Sequence, residues 1–212
     1  MAANKPQIRS LFPTPVCVHF VPIAQDVNTE LRPLVLAKMD ADGTAVVEGQ
    51  GWHSGPDFEA WGGTPAQTLL RVARELADTA TATRAGGRVS LDWAVTASAS
   101  VRQKGDYQEM TAHPDALWSG VYFVDDGYAK SDDETLGGEC ELADPRGNLP
   151  AAVAPQYAFR IPGGASAGQS EIIRPATGMF LLYPAWLPRG ERRFDGTAQR
   201  ITIEFDLIPP AE

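Results

Sequence analysis

VSLDWAVTASASV, residues 89–101, carries the clearest structural signal in the chain. Its odd positions read Val, Leu, Trp, Val, Ala, Ala and Val, whereas most of its even positions, up to Ser100 and then Arg102, are polar. Alternation with a period of two predicts a long strand with one apolar face and one mostly polar face. A sheet that includes this strand therefore needs an apolar layer on one side only.

Further short strands are predicted on both sides of this segment, because short apolar runs alternate with turn residues. They cover residues 11–21, 119–124, 138–143, 157–161, 171–174, 178–183 and 200–208. Many short strands with frequent glycine and proline favour a jelly roll or barrel.

Two helices are predicted before the long strand. Apolar residues near helical spacing from Val27 to Met39 predict the first helix, which Pro33 is expected to kink or split. In the second helix Thr64 is expected to be the N-cap, with Pro65 at the first helical position and Gln67 completing a capping box. This helix should run to about Ala82 and pack on a sheet. The sequence thus predicts one domain over 1–212, helical in 1–87 and a mainly β, jelly-roll core in 88–208.

Composition excludes several classes of function. The formal net charge of −9 disfavours nucleic acid as a partner, because phosphates would be repelled. No run of about 18 apolar residues exists, so no membrane span is expected, and a cytoplasmic protein follows. Cys17 and Cys140 form no CxxC pair and are predicted to be buried free thiols. The acidic segment 125–134 does not have EF-hand spacing and is predicted to be a solvated loop.

Several segments, taken in order, resemble a bacterial family of 2-oxoglutarate- and Fe(II)-dependent oxygenases. They are LFPTPV (11–16), GWHS (51–54), GDYQ (105–108), HPDALWSGVYFV (113–124), DPRG (144–147), YPAWL (183–187) and RITIEFDL (200–207). No single motif is decisive, but the ordered set spans nearly the whole chain. The resemblance implies a double-stranded β-helix, in agreement with the strand pattern, with the N-terminal helices packed on one sheet.

The resemblance also implies a site in which two histidines and a carboxylate or its equivalent hold iron. An arginine at the position of Arg200 would anchor the distal carboxylate of 2-oxoglutarate, with Thr202 and Tyr107 as further co-substrate contacts. This chain departs from that pattern at the metal ligands. The first histidine of the relatives' H-x-H-P motif is Thr111 here, and only His113 remains; their distal histidine is Arg189.

Two alternatives follow for the metal. His113 and Asp115 form an H-x-D pair, which many oxygenases use for two ligands, so an irregular iron site on these residues is one hypothesis. The other is a site that has lost iron, because a guanidinium at Arg189 stays protonated and cannot ligate a cation. The remaining histidines, His19 and His53, lie outside the expected segments, and the sequence assigns them no role.

The last predicted strand places Arg200, Thr202, Glu204 and Asp206 on one face, which the resemblance turns toward the barrel interior. Asp206 is expected to meet water, whereas the position of Glu204 is left open. Arg102, Arg189 and Arg200 are expected to converge and to bind a small anion, with 2-oxoglutarate itself as a candidate. Two functional hypotheses result: a binding protein derived from an oxygenase, with a degenerate metal site and a retained anion pocket, or an active Fe(II)/2-oxoglutarate hydroxylase.

Overall fold

The computed structural model describes residues 6–43, 49–147, 152–166 and 168–211. Three α-helices cover Ala24–Asp42 (α1), Phe58–Trp61 (α2) and Gly63–Ala80 (α3). The strands, in chain order from β1 to β12, are Cys17–Phe20, Trp52–His53, Ala94–Arg102, Gln108–Thr111, Trp118–Asp125, Cys140–Leu142, Phe159–Ile161, Gly164–Ser166, Glu171–Ile173, Met179–Pro184, Arg189–Glu191 and Arg200–Ile208.

Six of these strands form the larger sheet, in the order β1-β10-β5-β12-β3-β2, and every neighbouring pair is antiparallel. β12 lies at the centre and pairs along its full length with β3, so that Arg200 is opposite Arg102 and Thr202 is opposite Ser100. A smaller sheet has the order β4-β11-β6-β9, and β7 and β8 form a separate hairpin.

The helices cover the outer face of the larger sheet. Ile201, Ile203, Phe205 and Leu207 of β12 share one buried core cluster with apolar residues of α1 and α3, such as Leu31 and Leu70. The apolar odd positions of β3 from Ala97 to Val101 belong to the same core. Burial of this face supplies the hydrophobic stabilisation that holds the helices against the sheet.

The inner face of the larger sheet packs on the smaller sheet. Val121 and Leu181 of the larger sheet form a second core cluster with Cys140 and Leu142 of the smaller one. The polar positions of β3 and β12, including Ser100, Arg102, Arg200 and Thr202, lie in this inner layer and are buried as well. The polar face predicted for the long strand is therefore buried between the sheets at Ser100 and Arg102, whereas Thr96, near the start of β3, remains exposed.

Most predicted elements are confirmed, with corrections at their ends. The last strand covers 200–208 as predicted, whereas the long strand begins at Ala94, five residues after its predicted start. The second helix begins at Gly63 with Gly62 as N-cap, so the prediction that Thr64 is the N-cap was wrong. Of the two alternatives for Pro33, a split of the first helix was wrong: α1 continues through the proline, and the fully buried Leu31 and Val35 hold both sides of it against the core, whereas the kink stays a prediction.

The short strands β2, β4, β8 and β11 were not predicted. Each has two to four residues and lacks an apolar alternation long enough to be recognised, so tertiary pairing defines it. β1 lies within the strand predicted for 11–21, so that prediction is confirmed over residues 17–20. Both cysteines are free, Cys140 buried and Cys17 partly buried. Among the described residues, no helix is both long and apolar enough to cross a membrane.

Candidate functional site

A cavity of about 110 Å³ opens between the two sheets. Polar side chains from both sheets line it, since the inner faces of β3, β12 and β11 carry few apolar residues. The polar residues that line the cavity are Thr96, Ser98, Gln108, Thr111, His113, Ser119, Tyr183, Arg189, Glu204 and Asp206.

The three positions that the resemblance assigned to metal ligands meet in this cavity. Thr111 of β4 is directly opposite Arg189 of β11 in the antiparallel pairing, and His113 follows two residues after Thr111. The fold therefore brings together the residues that sequence comparison with the family had aligned with its ligands.

The side chains at these positions do not fit Fe(II). Arg189 is almost fully buried, its guanidinium donates to Gln108 Oε1 at 2.9 Å, and it has no lone pair to offer a cation. Thr111 supplies only a hydroxyl, so His113 is the one imidazole at the three positions. Among the described residues, no group of three or more His, Cys, Asp or Glu side chains is arranged to hold a metal ion.

His113 is tied to the last strand. Its Nδ1 lies 2.8 and 2.9 Å from the two carboxylate oxygens of Asp206, and the Ser119 hydroxyl donates to the same carboxylate. Asp206 was expected to meet water; its side chain is 24% exposed, but it lies on the inner face of β12 and lines the cavity. Asp115, the other residue of the H-x-D hypothesis, is exposed and does not line the cavity, so the fold gives His113 and Asp115 no shared site.

A buried ionic cluster lies beside the cavity, and its centre is Glu191, a residue that the sequence analysis did not select. Glu191 Oε2 lies 3.3 Å from Arg102 Nη1 and 3.6 Å from Arg200 Nη1, and Glu191 Oε1 accepts from Arg189 Nη2. The predicted convergence of the three arginines is therefore what the structure shows. The unpredicted part is that a carboxylate of the chain itself lies among them.

Glu204 and Gln108 stand between this cluster and the cavity. Glu204 Oε1 lies 3.2 Å from Arg102 Nη2 and 3.6 Å from Arg189 Nη1. Gln108 Oε1 accepts from the same two arginines at 3.0 and 2.9 Å. A ligand in the cavity thus meets Arg189, Gln108 and Glu204 before it can reach the deeper guanidinium groups.

Arg200 is fully buried in an aromatic environment. Its guanidinium carbon lies 4.3 Å from the ring centre of Phe194 and 5.0 Å from that of Tyr128, and it donates to the backbone carbonyls of Asp126 and Gly138. Cation–π contacts of this kind stabilise a desolvated guanidinium. Aromatic rings and backbone carbonyls therefore fix the Arg200 guanidinium in addition to its contact with Glu191.

Several buried donors of the cluster have no hydrogen-bond partner among the described protein atoms. They are Ser100 Oγ, Thr202 Oγ1, Arg102 Nε, Arg189 Nε and Arg200 Nη2. Arg102 Nη1 makes no hydrogen bond either, but it lies 3.3 Å from Glu191 Oε2, a buried acceptor that is likewise without a hydrogen-bond partner. Buried polar groups without partners are costly. Glu191 Oε2 lies near Arg102 Nη1 and Arg200 Nη1, and the hydroxyls of Ser100 and Thr202 and the Nε atoms of Arg102 and Arg189 fit a further acceptor. None of the three predicted co-substrate contacts lines the cavity. Arg200 and Thr202 belong to the set of unpartnered donors and are fully buried, whereas Tyr107 is 40% exposed.

Electrostatics keep both glutamates of the cluster ionised. Burial acts to raise the pKa of Glu191, but the charges of Arg102, Arg189 and Arg200 outweigh it and lower that pKa. For Glu204 burial likewise raises the pKa, and Arg102 and Arg189, with a contribution from His53, lower it to about 2. Both carboxylates therefore carry a negative charge at neutral pH.

The depressed pKa of Glu204 predicts a loss of stability in acid. A carboxyl whose pKa is lower in the folded state than in the unfolded state stabilises the fold above its unfolded pKa. This contribution should be complete above the unfolded value of 4.5 and should be lost progressively as the pH falls toward 2. Thermal unfolding between pH 6 and 2 measures it, and Glu204→Gln should flatten the decline. Equal pH slopes for the wild type and the variant would contradict the assignment.

Comparison with known proteins identifies one matching family. The family model described as "Putative 2OG-Fe(II) oxygenase" matches residues 96–206, just over half of the chain. No curated protein matches the sequence.

Several solved structures have a fold similar to that of this chain. A prolyl-4-hydroxylase from Pseudomonas putida is 12% identical, with a TM-score of 0.59 and 93% of each chain covered. AviO1 from Streptomyces viridochromogenes is 14% identical, with a TM-score of 0.58 and coverage of 92% of this chain and 90% of that one. HygX from Streptomyces hygroscopicus, solved with nickel and 2-oxoglutarate bound, is 14% identical, with a TM-score of 0.55 and coverage of 92% and 83%. At these identities the similarity establishes the fold, and the predicted double-stranded β-helix is confirmed.

Proposed function

Because the chain belongs to the 2OG-Fe(II) oxygenase family, we propose that it is an oxygenase-derived protein that has lost the iron centre and binds a small anion at the buried arginine cluster. The observation that carries the proposal is the set of unpartnered donors around Arg200 and Thr202. Of the residues that carry these donors, Arg189 lines the cavity, and the others lie deeper between the sheets.

The chemistry of the donors supports an anion as the ligand. Guanidinium groups pair with carboxylates and phosphates through directed hydrogen bonds, and hydroxyl groups donate to the same oxygens. Thr202 and Ser100 are directly opposite each other on β12 and β3, so both hydroxyls are next to the opposed pair Arg200 and Arg102. A carboxylate of the kind that 2-oxoglutarate carries would satisfy several of these donors at once.

The ligand positions argue against iron as part of this function. Thr111, His113 and Arg189 share a cavity but offer one imidazole, one hydroxyl and one cation. A positive charge at this place opposes a divalent cation. We therefore derive no oxidation step for this chain, and the proposed activity is binding.

Thr202→Val tests the binding site directly. The Thr202 hydroxyl makes no hydrogen bond in the free protein, so its removal should leave the free energy of unfolding unchanged or raise it. A bound anion would lose one charge-assisted hydrogen bond, which should weaken affinity by roughly tenfold or more. Calorimetric titration with acetate, succinate, 2-oxoglutarate and phosphate at constant ionic strength measures the change.

Thr29→Val is the matched control, because Thr29 is exposed on α1, which covers the other face of the larger sheet. It should leave anion affinity unchanged. The proposal is overturned if the wild type binds none of the four anions, or if Thr202→Val binds them as tightly as the wild type does.

A further inference from the structure

We propose that Glu191 is a built-in carboxylate ligand of the arginine cluster, and that it makes the site select monoanions over dianions. This inference rests on the proposed function, since it concerns the charge of the anion that the cluster accepts. It goes further by naming the residue that sets the preference.

The Glu191 carboxylate lies at the centre of the arginine cluster, and Arg189 and Glu204 are the cluster members that face the cavity. Glu191 is 3% exposed and contacts Arg102, Arg189 and Arg200, each from a different strand. No other described carboxylate contacts all three, since Glu204 reaches only Arg102 and Arg189. Glu191 therefore acts toward the cluster as a ligand carboxylate would.

The pairing of the strands explains why a carboxylate is needed there. Arg102 and Arg200 are directly opposite each other on neighbouring strands, a position in which like charges repel. Glu191 approaches both from β11 of the facing sheet. Its charge allows two arginines to occupy one cross-strand pair in the interior.

The charges of the cluster do not cancel. Three arginines face two carboxylates, Glu191 and Glu204, so one positive charge remains unmatched. The surrounding groups do not change this balance: burial raises the pKa of the Cys140 thiol, which stays neutral. Asp206 forms no ion pair with the three arginines, since its carboxylate contacts His113 and Ser119. Arg174 lies 4.1 Å from the ring centre of Tyr128 and forms no ion pair with Glu191 or Glu204 among the described residues.

The remaining charge determines which anion fits. A monoanion neutralises the cluster and satisfies its free donors. A dianion such as 2-oxoglutarate would leave one negative charge in excess in a buried site, and uncompensated buried charge is strongly unfavourable. Glu191 thus supplies, from within the protein, one of the two negative charges that a dicarboxylate would bring.

Butyrate and succinate, each with four carbons but with one and two carboxylates, are the matched probes. Titration calorimetry at pH 7 and constant ionic strength should show that the wild type binds butyrate more tightly than succinate. In Glu191→Gln the cluster gains a second unmatched positive charge, so the preference should reverse. We expect the ratio of the two affinities to change by at least about tenfold, because one full charge changes at contact distance.

Two variants serve as controls. Glu141→Gln removes the same charge from β6, the strand next to β11, where Glu141 pairs with the half-exposed Arg192, and it should keep the wild-type ratio. Glu191→Asp keeps the charge and should also prefer butyrate. If Glu191→Gln folds only with added anion, refolding should succeed in succinate and fail in sodium chloride of equal ionic strength.

The possible failures separate the two proposals. A wild type that binds neither probe overturns the proposed function. A wild type that binds a probe, with an affinity ratio that Glu191→Gln leaves unchanged, overturns the role of Glu191 and leaves anion binding intact. Refolding of Glu191→Gln that fails in succinate as well as in chloride also overturns that role, because the added carboxylates then do not replace the missing one.

Discussion

Glu191→Gln is expected to lower the free energy of unfolding by about 3–5 kcal/mol, the range seen when one partner of a buried ion pair is removed. Glutamine has nearly the same shape, so the loss would come from charge and not from a cavity. Without the carboxylate, Arg102 and Arg200 repel each other across paired strands. Both residues are at most 1% exposed, so water does not screen this repulsion. Urea denaturation at pH 7 in chloride buffer measures the loss.

Glu141→Gln again provides the comparison. Its ion pair with Arg192 is 3.1 Å long and partly solvated, and such surface pairs contribute about 0–1 kcal/mol. The two variants have the same net charge. A difference between their free energies of unfolding therefore reports on the buried position of the Glu191 ion pairs and not on the loss of one negative charge. Were Glu191→Gln to unfold within about 1 kcal/mol of Glu141→Gln, the view that the carboxylate holds the cluster together would have to be abandoned.

The second large effect is a gain of metal binding in the double variant Thr111→His, Arg189→His. The change places two imidazoles on directly opposed residues of β4 and β11, in the cavity that His113 already lines. It also removes the cation that opposes a divalent metal. Asp206 would hold His113 through Nδ1 and leave Nε2 free, the arrangement in which a carboxylate orients a metal-binding histidine. Affinity for Co(II), a spectroscopic substitute for Fe(II), should rise by at least about a hundredfold, or about 2.7 kcal/mol.

Single variants divide this effect into its parts. Thr111→His alone keeps the Arg189 charge and should gain little. Arg189→His alone removes the positive charge and leaves two imidazoles in the cavity. Its affinity for Co(II) should therefore lie between that of the wild type and that of the double variant. Adding His113→Ala to the double variant should abolish binding. A double variant that binds Co(II) no better than the wild type would show that these positions do not correspond to the ligand positions of the family.

Much of the scaffold could be predicted because its signals are local. The alternation in 200–208 fixed both the bounds of β12 and its two faces, since the side-chain period of a strand is two. The convergence of Arg102, Arg189 and Arg200 followed from the same alternation together with the motif order. Arg102 and Arg200 could be placed because they lie in long, regular strands, whereas the place of Arg189, in the short β11, came from the motif order alone.

The parts that could not be predicted depend on contacts between distant segments. Glu191 lies in a three-residue strand within the charged sequence RGERR, where nothing distinguishes a buried carboxylate from a solvated one. Asp206 was expected in water because a carboxylate near a strand end usually is; its partners His113 and Ser119 come from other segments. Tyr107 was placed in the pocket by the GDY motif alone, whereas its backbone pairs with Gly49 in a loop.

Anaerobic titration of the wild-type protein with Fe(II) and 2-oxoglutarate is the most direct test of the central claim, that Thr111 and Arg189 have ended iron binding in this cavity. We expect no visible charge-transfer band at any ratio of metal to protein, and no succinate when air is admitted. A saturable band, followed by formation of succinate, would contradict the account and show that the chain holds iron despite the arginine among its ligand positions.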